Sequence, residues 1–128
     1  MKKLLFVCLL FPSLVSAQTT TADKIALEAS KWGLDPTLPL SIAYAESGYR
    51  NVPSGHFDAT HTAYGIFQLT RTFYKSFCGD PEERLIPEKN IACAIKVMAT
   101  QPNPYLHWIE SYEMNGRGWK YLPHLTSS

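Results

Sequence analysis

Apolar residues recur at helical spacing through most of the chain, and the breaks fall where glycine, proline and asparagine gather. Thr21 or Asp23 can cap a first helix that puts Ile25, Ala29 and Trp32 on one face and stops at Gly33. Asp35-Pro36 restarts the chain, and Pro39 suits the first turn of a second helix. That segment, Leu38-Pro39-Leu40-Ser41-Ile42-Ala43-Tyr44-Ala45-Glu46-Ser47, is apolar nearly all round, the mark of a buried helix, and Gly48 closes it. From Tyr49 to Ala63 the period is lost, and Asn51, Pro53, Gly55 and Asp58 read as a loop or short irregular hairpin. Thr70 then caps a helix with Phe73 and Phe77 at i, i+4, and a polar connection over 79–86 follows. Pro87 opens a helix with a core stripe of Ile91, Ile95 and Met98. Asn103-Pro104 caps a last helix with Tyr105, Trp108, Ile109 and Tyr112 on one side, before a tail holding Trp119 and Tyr121. The pattern predicts one mainly α domain, with a small irregular or β excursion directly after the second helix.

The N-terminus changes the picture of where this domain works. Lys2 and Lys3, an apolar stretch from Leu4 to Leu14 and small residues at Val15-Ser16-Ala17 together predict a signal peptide over 1–17, leaving a domain over 18–128. No apolar run reaches the roughly 20 residues that span a bilayer, so export to the periplasm or beyond, without stable membrane insertion, is expected. The remaining 111 residues suit one compact core. Without Lys2 and Lys3, ten basic residues face eleven acidic ones, a net charge of −1. That balance argues against nucleic acid, which demands a basic stripe. A polymer partner would be gripped by hydrogen bonds and aromatic stacking instead.

Cleavage reduces three cysteines to two, Cys78 and Cys93, an even count in an oxidising compartment. A bridge between them would close a loop of about 15 residues, worth roughly 3 kcal/mol. Two buried free thiols are the alternative. His56, Asp58 and His61 match no established metal-ligand spacing, and neither metal nor cofactor is expected.

Glu46 carries the candidate chemistry. An apolar surround and the negative end of a helix dipole both disfavour an ionised carboxyl group. A carboxylic acid that keeps its proton near neutral pH is what general acid catalysis requires. The other reading of this position is a surface glutamate at a frayed helix end.

Ala45-Glu46-Ser47-Gly48, followed about twenty residues later by Ala63-Tyr64-Gly65-Ile66-Phe67-Gln68-Leu69, resembles the lysozyme-like superfamily, and within it the soluble lytic transglycosylase and goose-type lysozyme branch. The resemblance implies a cleft between two lobes and cleavage of the MurNAc-β-1,4-GlcNAc bond in peptidoglycan by one glutamate acting as acid and then base. It matches Ser47 and Gln68 to positions that orient the acid and the sugar. Gly65 and Tyr64 would border the glycan. The family's late Tyr-Asn-Ala-Gly segment has its nearest counterpart in Tyr112-Glu113-Met114-Asn115-Gly116, which departs by a two-residue insertion; Tyr112 is the candidate partner of the acid. Hydrolysis normally wants a second carboxylate across the bond. The only acid between Glu46 and Asp80 is Asp58, which reads better as a turn residue, so the transglycosylase outcome is expected over the hydrolytic lysozyme. A non-catalytic glycan-binding or secretion-apparatus protein is the remaining alternative. The expected partner is the glycan strand, met by a monomer, with an envelope-spanning secretion machine as a candidate recruiter.

Overall fold

The computed structural model describes residues 19–102 together with 107 and 108. Its elements are α1 (Thr21–Lys31), α2 (Thr37–Ser47), α3 (Arg71–Phe77), a 3-10 turn (Pro81–Leu85) and α4 (Pro87–Thr100). The mainly helical domain expected from the pattern is present, and the non-helical excursion lies between α2 and α3. In that excursion Tyr64 forms isolated antiparallel bridges to Pro53 on one side and Leu69 on the other.

Helix starts follow capping chemistry. The cap of α1 is Thr20, one residue before the expected position: its hydroxyl accepts from the Asp23 N–H, and the Asp23 carboxylate accepts from the Thr20 N–H, both at 3.1 Å. Asp23 therefore closes a capping box from the third helical position and is not itself the cap. Ile25 and Ala29 are fully buried as expected, but Trp32 is half-exposed. The backbone leaves helical geometry at Trp32, the C-terminal cap, which takes its side chain off the stripe. Before α2, the Asp35 carboxylate accepts from the Thr37 N–H at 2.9 Å, and Pro39 sits in the first turn, where no intrahelical donor is needed.

α4 spans the core and packs against α1, α3 and the 3-10 turn, while α1 also meets α2. Its buried face is wider than the expected stripe, adding Asn90, Ala94 and Val97 to Ile91, Ile95 and Met98. Ile66, Phe67 and Leu69 of the excursion are buried with them. Each such side chain contributes about 1.5–3 kcal/mol when taken from water, so the excursion is nailed into the core.

The connection over 79–86 is more ordered than its polar composition suggested. Asp80 accepts from the Glu82 N–H at 3.0 Å and Pro81 pre-sets the first helical position, which together wind the 3-10 turn. Cys78, just past α3, is joined to Cys93 of α4 by a disulfide with Cα atoms 5.8 Å apart. The expected last helix and the tail, with Tyr112, Trp119 and Tyr121, lie outside the described residues apart from His107 and Trp108. Trp108 is buried, and its indole N–H donates to the Phe67 carbonyl at 3.0 Å.

Candidate active site

Glu46 is half-buried, one residue before the end of α2. Gly48 ends the helix in the left-handed region at φ 63°, and its N–H donates to the Tyr44 carbonyl at 2.8 Å. Tyr49 continues in the same region at φ 66°, a conformation uncommon for a bulky residue. Its ring packs edge-on against Tyr44 with centroids 5.2 Å apart. Burial, with Tyr44 as a second cause, pushes the Tyr49 hydroxyl up to about 12. No basic residue stands in the last turn of α2, but Arg50 folds back and its Nε donates to the Ser47 carbonyl at 3.0 Å. The negative end of this helix is therefore partly offset, and the dipole argument for Glu46 is weaker than the sequence alone suggested.

Ser47 faces inward. Its hydroxyl donates to the Ile66 carbonyl at 2.8 Å and lies 3.2 Å from the Ala43 carbonyl, while accepting from the Arg50 N–H at 3.1 Å. The residue beside Glu46 is thus bonded to the middle of the Gly65–Gln68 turn, 19 residues away in sequence.

That turn is locked from several sides. Tyr64 and Leu69 exchange backbone hydrogen bonds at 3.0 and 2.9 Å. The Gln68 amide nitrogen donates to the Val52 and Gly65 carbonyls, both at 2.9 Å, with Gln68 itself held at φ 51°. Gly65 adopts φ 88°, and a Cβ there would lie 2.7 Å from the Asn90 Cγ. Only glycine satisfies both constraints. Asn90, fully buried on α4, accepts from the Phe67 N–H and donates to the Tyr64 and Arg84 carbonyls, all at 2.9 Å.

Beside Gln68 opens a groove of about 350 Å³ along α3, walled by Phe73, Phe77, His107 and Trp108 and edged by Thr72 and Ser76. The aromatic rings meet edge to face, with Phe73 and His107 centroids 4.9 Å apart. Among the described residues, no lysine, arginine or acid lines it. Ser47, Tyr64, Gly65 and Gln68 therefore belong to one bonded unit, which Glu46 adjoins along the chain; Tyr112 falls outside the described residues.

A family model described as the transglycosylase SLT domain matches residues 23–113. The chain belongs to this family. It is accordingly a peptidoglycan lytic transglycosylase, a lyase whose substrate lies in the cell envelope. Neither the curated proteins nor the solved structures include a significant match.

Two further features of this SLT domain bear on its chemistry. Asp58 is exposed, and one of its carboxylate oxygens accepts from the Thr60 hydroxyl and N–H, both at 2.7 Å, and from the His61 N–H at 2.8 Å. These bonds, the Thr60 hydroxyl foremost, hold its carboxyl well below the usual carboxylate range. Asp58 is a turn residue. The second feature is Asn90, which sequence reasoning missed. Its trace was an asparagine at i, i+4 and i+7 with Ala94 and Val97, a polar side chain in the register of a buried helix face.

Proposed function

We propose that this SLT domain cleaves the MurNAc-β-1,4-GlcNAc bond with Glu46 as its single acid and base, leaving 1,6-anhydro ends. The observation that carries the reading is the 2.8 Å hydrogen bond from the buried Ser47 hydroxyl to the Ile66 carbonyl, which fixes the end of the Glu46 helix against the Gly65–Gln68 turn. A proton donor has to stay registered against the bond it cleaves, and such fixing accounts for much of catalytic power. Glu46 gives its proton to the departing glycosidic oxygen as the C1–O bond breaks and positive charge develops on the ring. The carboxylate then takes the proton of the sugar's own C6 hydroxyl, whose oxygen closes on C1. No water is consumed, and Glu46 finishes protonated.

A hydrolase of the usual kind would need a second carboxylate. Asp58, the only acid between Glu46 and Asp80, is occupied inside its own turn, which favours the one-acid route. The groove beside Gln68 suits sugar rings, because aromatic faces can meet sugar C–H groups and hydroxyls meet hydroxyls, with no charge to balance. Residues 1–17 serve as a cleaved signal peptide in this reading, and the Cys78–Cys93 disulfide suits an oxidising compartment.

Glu46→Gln is the test. The variant should melt like the wild type yet release muropeptides from purified sacculi at least about 100-fold more slowly. An unchanged rate would remove Glu46 from the mechanism. Wild-type products should be one water lighter by mass than hydrolytic ones, and reducing-end products alone would establish a hydrolase.

A further inference from the structure

Phe57 is left 47% exposed at a loop tip that carries no other large apolar side chain. Its ring meets Tyr64 edge-on, with centroids 6.0 Å apart and planes at 72°. Tyr64 is the middle member of three antiparallel segments. The loop that carries Phe57 joins Tyr64 to Pro53 on one side, and the aromatic groove opens beyond Leu69 on the other. Between them, the turn after Tyr64 holds Ser47, the neighbour of Glu46, through the Ile66 carbonyl. Phe57 therefore belongs to the excursion whose turn fixes the Glu46 helix, on the Pro53 side of Tyr64 and away from Leu69.

The loop is built to hold that ring in place. The Phe57 N–H donates to the Ser54 carbonyl at 3.2 Å, the Asp58 N–H donates to the His61 carbonyl at 3.0 Å, and the Asp58 carboxylate gathers the donors of Thr60 and His61. A lone exposed aromatic needs no explanation. This one is fixed through its own N–H and through Asp58 beside it, and is backed by a second aromatic that borders the Gly65–Gln68 turn.

We infer that Phe57, supported by Tyr64, is a stacking platform for the sugar lying across the cleaved bond from the groove. Its ring meets the C–H face of that sugar, an uncharged contact suited to a neutral glycan backbone. The inference rests on the proposed reaction for the identity of the strand, and on the Pro53–Tyr64–Leu69 arrangement for its position.

The test measures the affinity of purified glycan strands for the full chain carrying Glu46→Gln, with and without Phe57→Ala. Loss of the ring should weaken binding about three- to tenfold, and Phe57→Trp should restore it. In the active protein the same substitution should raise KM by that factor and leave kcat within about twofold. Equal affinity with and without the ring would overturn the platform. Complete inactivity of the wild type on sacculi would instead overturn the proposed reaction, and the affinity comparison would still decide the role of Phe57.

Discussion

With its whole side chain shut away from solvent, Asn90 satisfies one donor and two acceptors of the backbone around the reactive turn. An isosteric change of charge exposes this dependence. In Asn90→Asp the retained oxygen still accepts from the Phe67 N–H, but the second oxygen faces the Tyr64 and Arg84 carbonyls where an amide donated. A buried carboxylate against two carbonyls favours its protonated form, so its folded pKa rises above the unfolded value near 4. The added penalty is therefore small below that unfolded value and grows as pH rises through it. Urea denaturation should show Asn90→Asp about 3 kcal/mol less stable than wild type at pH 7, with a smaller gap at pH 3. A gap independent of pH would mean that the side chain reaches water. Its register with Ala94 and Val97 marked Asn90 as a buried polar residue, but not what it holds, because its partners are main-chain atoms with no sequence identity. Glu46 and Gln68 stood out in the sequence as candidates because residue type and spacing are carried by the sequence itself.

The excursion between α2 and α3 shows the same division. Its position and loss of period were plain from Asn51, Pro53, Gly55 and Asp58, yet the two bridges of Tyr64 depend on partners that no local pattern identifies. Nor did composition distinguish the 3-10 turn from a plain polar connection, since it rests on one Asp80 cap and a proline. Its Arg84 is buried and donates to the Thr62 carbonyl, which returns the excursion to the helical core. The tip depends on Asp58 being ionised. Hydrogen bonds from Thr60 and His61 depress its pKa below the unfolded value, so their stabilisation is fully present above about pH 4 and is lost as pH falls through the depressed value. Amide exchange at Thr60 and His61, corrected for the intrinsic pH effect, should lose protection on strong acidification before the amide of Phe67 does. Equal protection of the three at all pH values would mean that the tip opens only with the whole domain.

Joining these parts into one enzyme depends heavily on α3, a helix of seven residues that carries the groove wall and is too short to stand alone. Tyr74 in the core, the Arg71–Glu82 ion pair, the Arg71 N–H on the Thr62 hydroxyl, the Lys96 ammonium on the Phe77 carbonyl at 3.0 Å and the Cys78–Cys93 disulfide all hold it. The even cysteine count made this bridge readable, but not that it would tether the end of the helix that walls the groove. Reduction frees the end of α3 without touching the Ser47–Ile66 hydrogen bond that registers Glu46. Stability should fall by about 3 kcal/mol and the melting temperature by about 10–20 °C. Against a total of roughly 5–15 kcal/mol, that loss leaves most molecules folded at 25 °C. Thermal unfolding and sacculus digestion, each followed before and after reduction, should therefore separate: a large drop in Tm, with KM rising more than kcat falls because the groove wall loosens while the acid stays registered. A kcat that collapses while the protein remains folded would show that α3 positions Glu46 as well as the sugar.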